Sequence, residues 1–237
     1  EQDVSVNFLD GPRARFFRDS VGLGKYFIDI HASGFEEVAK PSQVYPFQIP
    51  LGALIHKRVK NLIAGGKNLS VTHITNGTYR LHPVEWSIGE AAGTLAANSL
   101  AQKALPKEVW LDEKLLRKTQ ADLIENGAPV FWFVDVPIGD PLFNALQFTA
   151  TFGTYQYDND KDVKFHGHNE LSKEDLQIWA KGLKDGSSLH VSSESADAFL
   201  GSLAERLEVE KPSLPEKVLR KDFVLALDKV LRAHYLA

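Results

Sequence analysis

Between Ala64 and Gly93 the chain reads AGGKNLSVTHITNGTYRLHPVEWSIGEAAG, the densest run of potentially chemical residues in its 237 positions. An apolar strand over residues 61–66 ends in the pair Gly65-Gly66, as a buried parallel strand running into a loop would. A polar loop follows over 67–81, then a helix over 84–104 with Pro83 in its first turn. His73, Arg80, His82 and Glu85 border the start of that helix. A helix N-terminus offers unbonded N–H groups and a partial positive charge, which suits an anionic or electron-rich ligand atom. A buried strand-helix unit that uses small residues only for packing would carry the same pattern.

The helix itself contains Gly89 and Gly93 on one face, beside Ala91, Ala92, Ala96 and Ala97. Glycine inside a helix costs about 1 kcal/mol against alanine, so close approach of a backbone or a planar ligand must offset it. Membrane helix pairs use the same spacing, but Glu85, Glu90 and Asn98 exclude a spanning segment here. Arg80 and His82 flank Leu81 and share a face in an extended segment, a placement that can orient a carboxylate. Pairing of Arg80 with Glu85 or Glu90 is the alternative, and His73 reads equally well as a structural hydrogen-bonding histidine.

Other candidates are weaker. Asp158, Asp160 and Asp162 imitate the start of a calcium loop, but Val163 and Asn169 stand where glycine and glutamate belong, so the segment reads as a solvated turn. His166-Gly167-His168 lacks a third ligand at metal spacing. No metal site is expected. Cysteine is absent, as is a G-x-S-x-G elbow, which leaves covalent hydrolysis without a nucleophile.

These residues need elements to hold them. Residues 4–9 and 25–31 alternate as strands do, and residues 35–50, with three prolines, read as an extended connector. Pro106 closes the long helix, and an amphipathic helix over 111–126 stops at Gly127. A strand over 130–136, a helix over 140–152 and a polar loop over 158–170 come next. Ser172 caps a helix reaching 183, and helices over 196–207 and 214–235 finish the chain. The composition shift near 127–129 marks a boundary.

The balance of 27 Lys+Arg against 31 Asp+Glu gives a net charge of −4, which argues against nucleic acid as a partner. No apolar run is long enough to cross a bilayer. The chain begins at Glu1, in what reads as mid-strand, and contains no methionine, so the expectation is a piece of a longer protein. Compartment is left open between cytoplasm and cell envelope.

The features at 62–66, Ser70–Ile74 (SVTHI) and Tyr79–Ala97 (YRLHPVEWSIGEAAGTLAA) make the segment of about 41–101 resemble the C-terminal flavin-contacting region of FAD-dependent oxidoreductases. The similarity points to a bacterial group often labelled xanthan lyases. It implies an α/β or α+β fold in which residues 1–60 end a substrate domain and 61–127 return to the FAD-binding domain. It implies FAD as cofactor, contacted by Gly65, Gly66, Ser87, Ile88, Gly89, Glu90, Ala91, Ala92 and Gly93. His73, Arg80 and His82 become catalytic candidates at the flavin or substrate face, serving hydride transfer on a small-molecule substrate. The family's pyrophosphate-binding G-x-G-x-x-G is not found, since Gly22-Leu23-Gly24 lacks the third glycine. The expected partner is therefore a missing N-terminal FAD-binding half.

Residues 131–183 resemble a divergent S-layer-homology unit through Asp135-Val136-Pro137, Ala145-Leu146-Gln147 and Leu171-Ser172-Lys173-Glu174-Asp175, with a partial second unit at 219–231. That resemblance implies a mainly helical accessory domain over 128–237. It leaves open a non-enzymatic alternative, a cell-envelope module that binds cell-wall polymer.

Overall fold

The computed structural model describes residues 2–9, 11–31, 42–158 and 162–237. Asp160 and the first part of the expected connector, residues 35–41, lie outside them. Helices dominate, with a small strand content, in keeping with the mixed class read from the sequence.

Two strands form the one named sheet among the described residues: β1 (Ser20–Gly24) and β2 (Phe47–Pro50), antiparallel, with Leu23 opposite Gln48 and Gly24 opposite Phe47. Both expectations for this region shift. Residues 25–31 do not form a strand, because their backbone groups go elsewhere: Thr78 Oγ1 donates to Tyr26 O, and Asp29 N donates to Gly77 O at 3.4 Å. Residues 4–9 are likewise turns with a single bridge from Ser5 to Val44. The strand instead occupies the end of the supposed connector, where Phe47 and Ile49 are buried between flanking prolines.

The 61–66 segment is not a buried parallel strand. Leu62 is 48% exposed, and the segment folds back antiparallel on residues 54–56, with Ala64 N donating to Leu54 O at 2.7 Å. The polar loop after it contains a short helix, α1 (His73–Tyr79), started by a reciprocal Thr72–Thr75 capping box. The long helix α2 (His82–Ala101) follows directly, with Pro83 in its first turn. Pro106 then opens a helix rather than simply closing one. α3 (Pro106–Leu111) and α4 (Glu113–Glu125) replace the single helix expected over 111–126, divided at Asp112, whose Oδ1 accepts from Leu115 N at 3.0 Å. Gly127, at φ +87°, ends α4.

No strand forms over 130–136. Gln147 supplies the hydrogen bonds that a neighbouring strand would give: its Oε1 accepts from Val130 N and Phe131 N at 2.8 Å each, and its Nε2 donates to Phe131 O at 2.9 Å. Gln147 sits on α5 (Phe143–Ala150), shorter than the helix expected over 140–152. α6 (Lys173–Ser187) is capped by the expected Ser172 box with Asp175, α7 spans Ala196–Leu207, and α8 spans Arg220–Tyr235. Gly182 and Gly186 on α6 let the backbone around Gly153 press against that helix, and a Cβ at Gly186 would lie 2.7 Å from Phe152 O.

The apolar interior has two centres. One draws on residues between Val4 and Ala128 and includes Phe47, Ile49, Ile88 and Leu95. The other runs from α4 to α8 through Phe148, Tyr155, Trp179, Phe199 and Phe223. α4 serves both, with Leu116 and Leu123 in the first and Ala121 and Ile124 in the second.

Candidate functional site

The candidates fall into two groups. The first is the glycine-pair loop against α2. Lys67 N donates to Glu85 Oε1 at 3.1 Å, and Lys67 Nζ lies 3.6 Å from Glu85 Oε2, so the loop is fastened across the first turn of the helix. A Cβ built at Gly65 would meet Ala92 Cβ at 3.7 Å, one at Gly66 would meet Glu85 Oε1 at 3.6 Å, and one at Gly89 would meet Gly65 O at 3.8 Å. Gly93 has nothing within 4 Å. Gly65, Gly66, Gly89 and Ala92 therefore come together as neighbours. Gly89, Glu90 and Gly93 face outward, whereas Ile88 and Ala91 are fully buried and turn into the core. Ser87 lies beside β1, close enough that a Cβ at Gly22 would touch it at 2.9 Å. No side chain caps the start of α2, where Leu81 occupies the cap position.

The second group lines a pocket of about 190 Å³. His73 and Arg80 stand at the two ends of α1 and face Asp29, Ile30 and His31 across it. Arg80 Nη2 donates to Asp29 O at 3.2 Å and lies 3.4 Å from Asp29 Oδ2. Neither sequence alternative for Arg80 partners holds, because Glu85 is taken by Lys67 and Glu90 accepts from Trp86 Nε1 at 2.9 Å. His31 Nε2 lies 3.0 Å from the same Asp29 Oδ2. Arg80 ends one helix and His82 begins the next, so the two do not share an extended face. His82 is exposed and does not line the pocket.

Asp29 and His31 were not singled out by sequence reasoning. The signal was present in Ile28-Asp29-Ile30-His31, two polar residues two apart on an otherwise apolar run. Tyr79, next to Arg80 in sequence, turns into the core instead. Tyr79 is buried with its OH donating to Gln48 O at 2.9 Å and its ring stacked on Phe47, and burial pushes its phenol well above the usual tyrosine range.

Of the weaker candidates, Asp160 lies outside the described residues. Asp158 turns inward to Arg220 at 2.9 Å, and His166 Nε2 lies 3.2 Å from Asp162 Oδ2. Among the described residues no group of three or more His, Cys, Asp or Glu could hold a metal ion, and no helix is long and apolar enough to cross a membrane.

A family model described as FAD dependent oxidoreductase matches residues 1–123. The chain belongs to that family, which makes its first half part of an oxidoreductase whose cofactor is FAD. Residues 124–237 lie outside the match. No curated protein and no solved structure matches the chain.

Proposed function

We propose that this chain supplies the flavin-contacting loop and helix of an FAD-dependent oxidoreductase that transfers hydride from a small-molecule substrate, completed by a dinucleotide-binding half carrying the G-x-G-x-x-G turn. One observation carries the reading: Gly89 and Gly93 are not small for the sake of internal packing. Each costs about 1 kcal/mol in a helix interior, yet the space a side chain would fill stands open over Gly93 and nearly so over Gly89. Small residues that face outward fit a flat group laid against the helix.

In this reading Gly65, Gly66, Gly89, Glu90 and Gly93 offer backbone and edge contacts to FAD. Ser87, Ile88, Ala91 and Ala92 set the helix against β1 and the core so that its outer face keeps its place. The uncapped first turn of α2 places partial positive charge where electron density would gather. When bound, FAD supplies the hydride acceptor; the protein's part is position and electrostatics. Arg80 and His73 serve the substrate side from their shared pocket, and His82 serves the helix start.

Protein carrying this chain should keep flavin absorbance through desalting. A colourless protein that takes up no added FAD would overturn the reading.

A second reading, polymer binding by residues 128–237, draws support from a cleft of about 580 Å³ bounded by Asp135, Asp140, His168, Lys221, Asp222 and Leu225. Sedimentation with purified cell wall, lost in a His168→Ala, Lys221→Ala double variant, is its expected signature. A protein that stays in the supernatant removes it.

A further inference from the structure

The pocket between α1 and residues 29–31 contains more hydrogen-bonding capacity than the described residues use. Arg80 spends only Nη2 on Asp29. Its Nε and Nη1, the ring of His73 and the side-chain amide of Asn76 have no hydrogen-bond partner among the described residues. On the acceptor side, Asp29 Oδ2 serves both Arg80 and His31, while Oδ1 has no partner among them. The pocket therefore presents separate donors, since Nε and Nη1 lie on opposite edges of the guanidinium, and one acceptor oxygen, with Ile30 as an apolar wall.

That inventory defines an occupant. A carboxylate matches this set, with a charge-assisted bond from Arg80 to one oxygen and a bond from His73 to the other. Among the described lining residues Arg80 is the one permanent cation and its charge is partly met by Asp29, which favours a monoanion over a doubly charged phosphate. The spare Asp29 oxygen would repel a bare anion unless the same molecule brings a donor, such as a hydroxyl. At about 190 Å³ the space lies below the roughly 300–1,000 Å³ of pockets for drug-sized ligands, so it takes a small molecule or one end of a larger one.

We infer that this pocket binds the carboxylate end of a small hydroxylated acid, with Arg80 and His73 on the anion, Asp29 Oδ1 on the hydroxyl, and Asp29 as the positioning residue for both Arg80 and His31. That such an acid is the substrate rests on the oxidoreductase reading; the binding does not.

The test is titration of the full 237-residue chain with glycolate, followed by the ring signals of His31 and His73 in NMR. Both should shift saturably. Acetate, which lacks the hydroxyl, should bind about tenfold more weakly, and so should inorganic phosphate. Arg80→Met should weaken glycolate by about tenfold or more. Because that variant also loses a contact to Asp29, His73→Gln provides a check at an exposed side chain with no partner to lose, and it should weaken glycolate several-fold. Arg80→Lys, which retains charge without the planar donors, should not restore wild-type affinity. Absence of a saturable shift at either histidine, acetate binding as tightly as glycolate, or unchanged affinity in His73→Gln overturns the inference. A chain that binds glycolate through Arg80 yet takes up no FAD upholds this pocket and removes the redox reading. Flavin uptake without glycolate binding does the reverse.

Discussion

Arg117 Nη1 donates to the backbone carbonyl of Thr151, 3.0 Å away, and so links α4 to the end of α5 through a fully buried cation. The same guanidinium reaches Arg18 O at 3.1 Å and Ser187 Oγ at 3.4 Å, rests over the ring of Phe152 and is met by Glu113 at 2.8 Å. Burial pulls its pKa below the ordinary arginine value, with Glu113 opposing. Arg117→Met would leave Thr151 O and Gln120 Oε1 without a donor, while Glu113 keeps Arg18 and Arg18 O keeps Gln120, at a cost of about 1–3 kcal/mol for each stranded acceptor. Urea unfolding followed by circular dichroism and by tryptophan emission should show one earlier, still coincident transition. A transition at the parent's urea concentration would mean that the fold does not depend on this contact.

Val130 is clasped in the same way. Ser20 Oγ and Gln48 Nε2 donate to its carbonyl at 2.7 and 3.0 Å, while Gln147 takes its N–H. A chain cut after residue 127 should therefore lose cooperative thermal unfolding, because those two side chains would be left without their acceptor.

At Gly77 a Cβ would stand 2.7 Å from Asp29 O, and the backbone there cannot easily retreat because Thr78 is bonded to Tyr26 O. Gly77→Ala should cost about 1–3 kcal/mol, read as a lower melting temperature. It should also weaken glycolate binding by moving Asp29. A variant as stable as the parent would show that the contact can relax.

Gly93 offers the opposite case. With nothing near it, Gly93→Ala should raise stability by up to about 1 kcal/mol through helix propensity alone. Gly93→Phe should melt close to the parent yet bind FAD far more weakly. Flavin affinity unchanged by the phenyl ring would place the cofactor elsewhere.

Alkaline pH should unfold the protein through Tyr79 and Tyr155. Burial raises both phenols above their ordinary value of 10.0, with Asp3 adding to the effect at Tyr79 and the hydrogen bond from Thr149 opposing it at Tyr155. The unfolded chain loses these protons first, so the stability they contribute is complete below about pH 10 and declines as pH rises beyond it. Melting temperatures from neutral to about pH 11 should fall more steeply for the parent than for Tyr79→Phe.

Legibility in the sequence followed local chemistry. Ser172 with Asp175, Pro83 in a first turn, and the apolar spacing of 196–207 each announce a helix within a few residues, and the structure places helices there. Segments whose partners are distant misled. Val130–Val136 has strand composition, but a glutamine side chain completes its hydrogen bonds, and no periodicity encodes that. α1 hid among Thr, Asn and Gly because its stability comes from a capping box and from Gly77 resting on Asp29 rather than from helix propensity. At the site, Gly65 and Gly89 were grouped only through the family resemblance, and the structure brings them together by folding residues 61–66 back on 54–56 rather than by a strand running into the helix. The meeting of Arg80 with Asp29 spans 51 positions and was not legible.

The outward stripe of α2 continues beyond its glycines to Trp86, 73% exposed, and Leu100, 80% exposed. With only Glu90 charged between them, these apolar ends of the stripe seek cover. Kept by itself in concentrated solution, this chain should cling to copies of itself, and light scattering should fade once the strip is clothed.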